Sequence, residues 1–154
     1  MQNQMELTFT ACARNEAFAR VAIAAFVVQL NPTLPEMADV KTAVSEAVTN
    51  AVVHAYAHGE GMVRMTAFYG DDHVLTVTVS DSGCGIADIA AAMQPFYSTG
   101  DGAERSGMGF CVMQTFMDAV EVESAVGEGT TVRMRKHILG EMGLHRERML
   151  DEIG

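Results

Sequence analysis

Polar and apolar residues alternate through Met5-Glu6-Leu7-Thr8-Phe9-Thr10, which predicts a strand with one buried face. From Ala13 to Leu30 the period lengthens to three or four. Phe18, Val21, Ala22, Ala25, Phe26 and Gln29 share this spacing, which predicts a helix closed by Asn31-Pro32-Thr33-Leu34. A second helix is predicted from Pro35 to about Ala57, with Val40, Ala43, Val44, Ala47, Val48, Ala51 and Val52 as its apolar stripe. Pro35 suits a first helical turn, and Glu36 and Asp39 lie near the positive end of the macrodipole. His58-Gly59-Glu60-Gly61 reads as a turn. Met62 to Tyr69 and His73 to Ser80 read as strands joined by the short connection Gly70-Asp71-Asp72.

Residues 88–106 carry no sustained period and have the composition of a mobile loop. Ser106 opens a third helix reaching about Met117. Two strands, Ala119 to Ala125 and Thr130 to Lys136, follow around Val126-Gly127-Glu128-Gly129. This order of elements implies an α+β two-layer sandwich, with a mixed, mostly antiparallel sheet and its helices on one face. Residues 1–137 are expected to form a single domain and residues 138–154 a charged tail, helical or frayed.

Composition narrows the function classes. Apolar residues make up 49% and charged residues 19% of the chain, which excludes an intrinsically disordered protein. No apolar run approaches the roughly 18 residues of a membrane span, and Met1-Gln2-Asn3-Gln4 lacks the regions of a signal peptide. The expectation is a cytoplasmic protein that does not engage a membrane. Cys12, Cys84 and Cys111 are widely spaced and odd in number, which argues against a disulfide framework and a zinc site. Twenty acidic residues against 10 basic ones give a net charge of −10, a poor match for direct nucleic-acid binding.

Four features could carry chemistry. Glu46 and Asn50 lie four apart on the second helix, so they project side by side. They could be a solvated stripe, or a general base beside a metal ligand. Asp81-x-Gly83-x-Gly85 follows the clearest strand; its carboxylate could accept from an exocyclic amine while the glycines admit a planar ring or phosphate. The same pattern also occurs as a plain turn. Arg105-Ser106-Gly107-Met108-Gly109 places glycines where a helix begins, a ready anion site to which Arg105 could add a charge-assisted contact; a capped turn would look the same. Gly129-Thr130-Thr131 opens a strand, where a hydroxyl could complete a base pocket. Glu16 and Arg20 stand one turn apart on the first helix, as an ion pair or as contact residues. No Walker A loop and no Gly-x-Gly-x-x-Gly after the first strand is present, so a nucleotide site here must be of another type.

In that order, an Asn-bearing helix box, an Asp-x-Gly-x-Gly box, a lid and a second glycine box, the chain resembles the GHKL family of ATP-binding proteins. Ser45-Glu46-Ala47-Val48-Thr49-Asn50-Ala51, Glu104-Arg105-Ser106-Gly107-Met108-Gly109-Phe110, Phe116-Met117-Asp118 and Val126-Gly127-x-Gly129-Thr130-Thr131-Val132 narrow it to the sporulation branch of the small anti-sigma serine kinases. The resemblance spans roughly residues 5 to 137. It implies the histidine-kinase-like ATPase fold and a homodimer that inhibits a sporulation sigma factor. It also implies that Mg-ATP serves to phosphorylate a serine on an anti-anti-sigma partner.

Carried onto matching positions, the resemblance gives Asn50 to Mg²⁺, Glu46 to the proton of the attacking serine, and Asp81 to adenine. Gly83 and Gly85 would allow close approach, Gly107 and Gly109 would cradle phosphates, Arg105 would meet the γ-phosphate, and Thr130 would line the base. Glu16 and Arg20 match the family's partner-contact face. Two departures stand out: Ala55 to Gly61 is a short loop, and Tyr97-Ser98-Thr99-Gly100-Asp101 has no lysine near Gly100. Alternatives within reach of the same residues are a general-stress anti-sigma kinase, a detached histidine-kinase catalytic domain, and an ATP-dependent binding switch without phosphotransfer.

Overall fold

The computed structural model describes residues 1–56, 60–94 and 109–153. Strand β1 (Asn3–Thr10) turns Met5, Leu7 and Phe9 toward the helices, as its alternation requires. Helix α1 (Arg14–Val27) follows, and a 3₁₀ turn over Val28–Leu30 ends at Asn31, which sits in the left-handed region at φ +50°. Ala19, Ile23, Phe26 and Val27 form its buried stripe. The helix therefore stops short of Leu30 as an α-helix, because the last turn tightens into 3₁₀ geometry, a common way for a helix to end.

Helix α2 (Leu34–Asn50) begins with a reciprocal cap: the Glu36 N–H donates to Thr33 Oγ1 at 3.2 Å, and the Thr33 N–H donates to Glu36 Oε1 at 2.9 Å. Val40, Ala43, Val44, Ala47 and Val48 are buried beneath it. Sequence periodicity predicted one helix to about Ala57, but α-helical geometry ends at Asn50. Ala51–Ala55 continue as a π turn. Such turns favour functional sites and carry no distinctive composition, so apolar spacing does not reveal them.

Strands β2 (Met62–Tyr69) and β3 (Val74–Asp81) form a hairpin, in which Asp72 Oδ1 accepts from the Val74 N–H at 3.1 Å. A short helix α3 (Ile89–Ala92), capped by Asp88, breaks the stretch expected to lack regular structure. Helix α4 (Gly109–Phe116) packs on α2. Strands β4 (Ala119–Ala125) and β5 (Gly129–His137) close the sheet, and helix α5 (Gly140–Ile153) ends the chain. The start of the third predicted helix, from Ser106 to Met108, lies outside the described residues.

The five strands lie in the order β1-β2-β3-β5-β4, and every pairing is antiparallel. The expected α+β two-layer sandwich is what the chain forms, with α1, α2 and α4 packed over one face of the sheet. Register aligns the inner face in rows. Leu7, Met65, Val79, Val132 and Val122 make one such row across all five strands. Fully buried Ile23, Met65, Leu75, Met113, Met134 and Ile138 fill the space between the layers. Lys136, on the same face, donates to the Phe116 carbonyl at 2.9 Å and pairs with Asp39 at 3.5 Å, closing the C-terminal end of α4. Among the described residues no helix is long and apolar enough to cross a membrane.

Candidate functional site

The last inner-face row of the sheet changes character along its length. Phe9 and Val63 are apolar, and then come Asp81, Thr130 and Ser124, each the register partner of the next. Period-2 alternation places all of them on the helix-covered face, two residues beyond the buried valines Val79 and Val132. Asp81 Oδ1 accepts from the Gly83 N–H at 2.9 Å and from the Thr130 N–H at 3.3 Å. Burial pushes the Asp81 carboxyl above its ordinary range, and those two donors pull it only part of the way back. A half-buried carboxylate at the end of a sheet is an acceptor suited to an exocyclic amine.

The glycines beyond Asp81 are imposed by backbone. A Cβ on Gly83 would lie 2.4 Å from the Ala55 carbonyl oxygen. One on Gly85, whose φ is +76°, would lie 2.0 Å from the Ala125 carbonyl oxygen. The loop is fastened from both sides: the Cys84 N–H donates to the Ala55 carbonyl at 3.0 Å, and the Gly127 N–H donates to the Cys84 carbonyl at 2.8 Å.

The π turn thereby joins the two halves of the site. At its start Asn50 leaves α2; at its end the Ala55 carbonyl holds the Asp81–Gly85 loop. Tyr56 adds a second anchor, its hydroxyl accepting from the Ser82 N–H at 2.7 Å and donating to the Met62 carbonyl at 2.9 Å. Sequence reasoning missed both Tyr56 and Ser124. Ser124 could have been found from strand register alone, as the residue opposite Thr130; Tyr56 depends on the π turn, which leaves no periodic signal.

Glu46 and Asn50 are half-buried and face the start of α4 rather than open solvent. A Cβ on Gly109 would sit 3.1 Å from Asn50 Oδ1, 3.2 Å from Asn50 Nδ2 and 3.4 Å from Glu46 Oε2. The first residue of α4 thus meets the predicted pair with only a hydrogen in between. Bare Cα at that point keeps open a cradle that any side chain would fill, and the paired side chains offer hard oxygen donors. Those residues fit a magnesium-bound polyphosphate. Arg105, Gly107 and, of the lid expected from about Ala90 to Ser106, residues 95–106 lie outside the described residues.

Glu16 and Arg20 occupy a neighbouring place. Glu16 accepts from the Ser45 hydroxyl and lies 3.8 Å from Arg20 Nε. With Ala13, Thr49, Val52 and Val53 they line a depression of about 280 Å³ between α1 and α2. The structure therefore brings together Glu46, Asn50 and Gly109, and separately Asp81, Gly83, Gly85 and Thr130, with residues 51–56 as the link. Glu16 and Arg20 form a third cluster, one stripe away on the outer side of α2.

Comparison with known proteins agrees with this geometry. A family model described as a histidine kinase-like ATPase domain matches residues 9–136. The chain is 54% identical over 136 residues to the anti-sigma F factor of Caldanaerobacter subterraneus subsp. tengcongensis, an alignment covering 88% of this chain and 94% of that one. Among solved structures it resembles the RsbU and RsbW domains of Rv1364c from Mycobacterium tuberculosis, with a TM-score of 0.65 at 20% identity, over 88% of this chain and 32% of the other. That likeness shows the fold alone. It also resembles full-length ShkA in complex with AMPPNP, with a TM-score of 0.51 at 26% identity, over 65% of this chain and 21% of the other.

Proposed function

This chain belongs to the histidine kinase-like ATPase domain family, and on that premise we propose that it is an ATP-binding anti-sigma factor and protein-serine kinase. In this reading it holds a sporulation sigma factor inactive and phosphorylates a serine on an anti-anti-sigma partner, as a cytoplasmic homodimer. The observation that carries the reading is the meeting of Gly109 with Asn50 and Glu46, supported by relatives of near-full-length coverage that bear the anti-sigma F name.

ATP supplies the transferable phosphoryl group and Mg²⁺ the charge neutralisation that such a transfer needs. The chain's own part is to bind, orient and accept a proton. Asp81 and Thr130 hold the base, with Gly83 and Gly85 letting the loop beside it pack against the Ala55 and Ala125 backbone. Asn50 offers its amide oxygen to the metal, and Gly109, the first residue of α4, brings its backbone N–H to the phosphates. Gly107 and Arg105 take the phosphate-binding roles that the family resemblance implies. Glu46 takes the proton from the attacking serine hydroxyl, the role of a base within reach of the transferred group. Glu16 and Arg20, on the depression beside the site, contact the protein partners.

The test is a phosphotransfer assay with purified protein, radiolabelled Mg-ATP and the anti-anti-sigma protein encoded with it, alongside co-purification of a sigma factor. Phosphoserine on the partner and ATP-dependent retention of the sigma factor are expected. Sigma retention without phosphoserine would replace the kinase by a binding switch.

A further inference from the structure

The Ser124 hydroxyl sits at the end of the polar row and has three partners. It lies 2.7 Å from the Ile86 N–H, 2.9 Å from the Gly129 carbonyl oxygen and 2.8 Å from Thr130 Oγ1. A backbone N–H can only donate and a carbonyl can only accept, while a serine hydroxyl has one proton and two lone pairs. Ile86 therefore takes one lone pair, and the Ser124 proton is directed to Gly129. The remaining contact is a hydrogen bond only if Thr130 is the donor. The one hydroxyl proton of Thr130 is then committed within the protein, and toward the pocket Thr130 presents lone pairs alone.

Its register partner Asp81 is likewise an acceptor when ionised. Two acceptors stand side by side. The amine of a 6-aminopurine carries two hydrogens and can satisfy both. A 6-oxo group in the same place meets lone pairs, and the single neighbouring N1–H of such a base can answer at most one acceptor, so unpaired acceptors are left desolvated and penalised.

We propose that Ser124 is a positioning residue that fixes the Thr130 hydroxyl as an acceptor and so makes the base pocket select 6-amino over 6-oxo purine nucleotides. The proposal rests on reading this site as the nucleotide site. Ser124 does not touch the nucleotide; it acts through Thr130, and it also tethers Ile86 at the end of the loop that begins with Asp81.

Calorimetric titration with ATP and with inosine triphosphate tests it on the 154-residue chain. The unaltered protein should prefer ATP. Ser124→Ala should lower that preference about tenfold, chiefly by tighter binding of inosine triphosphate, because the freed Thr130 proton can turn to a 6-oxo group. Ser124→Thr, which keeps a hydroxyl at the same place, should retain the original preference. Thr130→Val should also lose preference, and Ser124→Ala added to it should lower the ratio no further, since the effect runs through Thr130. An unchanged ratio in Ser124→Ala or in Thr130→Val would overturn the proposal, as would an equal loss of both nucleotides in Ser124→Ala. A protein that binds neither nucleotide before any substitution would overturn the reading of the site itself, and this proposal with it.

Discussion

At the scale of single residues, the carboxylates Glu46 and Asp81 should respond to substitution in opposite ways. Glu46→Gln keeps the shape of the side chain beside Gly109 and removes its basicity. Phosphotransfer should fall by about 10³-fold while ATP affinity measured by calorimetry stays within about threefold. Asp81→Asn should separate stability from binding. Burial raises the Asp81 pKa, so ionising it in the fold costs free energy: its favourable contribution holds below the unfolded pKa and is lost as pH rises through the higher folded value. At neutral pH the charge therefore opposes folding. An asparagine Oδ1 can still accept from Gly83 and Thr130, so the melting temperature of Asp81→Asn without nucleotide should be equal or higher. ATP affinity should fall about 100-fold, because an amide in place of the carboxylate weakens the acceptor for the base amine. The sequence offered these residues as candidates through spacing and order, an Asn and a Glu on one stripe and an Asp before two glycines, although each pattern alone also reads as a solvated stripe or a plain turn. Ser124 escaped notice because a serine in an exposed-looking strand has no chemical signature until its neighbours across the sheet are known.

Among the secondary-structure elements, Glu36 links the two ends of the helical layer. Besides capping α2 it accepts from the Leu139 N–H at 2.8 Å and the Gly140 N–H at 3.0 Å, so one carboxylate fastens the start of α2 and the start of α5. Burial works against its ionisation, but the backbone donors of Thr33, Leu139 and Gly140 outweigh that and hold its pKa below the ordinary glutamate value. Its stabilising contribution is thus present above the unfolded pKa and lost as pH falls through the folded one. Glu36→Gln should cost about 1 kcal/mol in urea unfolding near neutral pH, and the difference from the unaltered protein should shrink as pH falls through the folded pKa and Glu36 takes up a proton. The start of α2 at Pro35 and Glu36 was readable in advance, as were all five strands, because alternation and helical spacing follow directly from which face is buried. The reciprocal cap was not, since Thr33 reads equally well as part of the turn that closes the first helix. Helix ends were less readable. The change from α to π geometry after Asn50 alters backbone hydrogen bonding without altering which residue types are tolerated, so apolar spacing ran on through it.

For the molecule as a whole, charge and surface decide what the fold can meet. With a net charge of −10, attraction to a basic partner surface should be long-ranged and weakened by salt. Arg20 is a local cation at the depression between α1 and α2, suited to an acidic group on the partner within that wider field. Arg20→Glu should therefore reduce partner capture by at least about tenfold in a pull-down while leaving ATP affinity unchanged. Equal capture by the variant would remove Arg20 from the contact face. The two-layer architecture was legible from the order of elements. The closing of the sheet by β5 between β3 and β4 was not, since no local pattern reports which strands will be neighbours, and the proposed base pocket depends on that insertion.

The polar row gives this topology a further consequence. Asp81, Thr130 and Ser124 come from three different strands, and each stands opposite the next only in the native register. A slip of one residue in β4 would turn Ser124 to the opposite face and bring Glu123 or Ala125 into its slot. A nucleotide held by this row, as proposed above, would act as a proofreader of strand alignment. At about a thousand times its dissociation constant it adds about 4 kcal/mol to the correctly aligned sheet and nothing to its misaligned competitors.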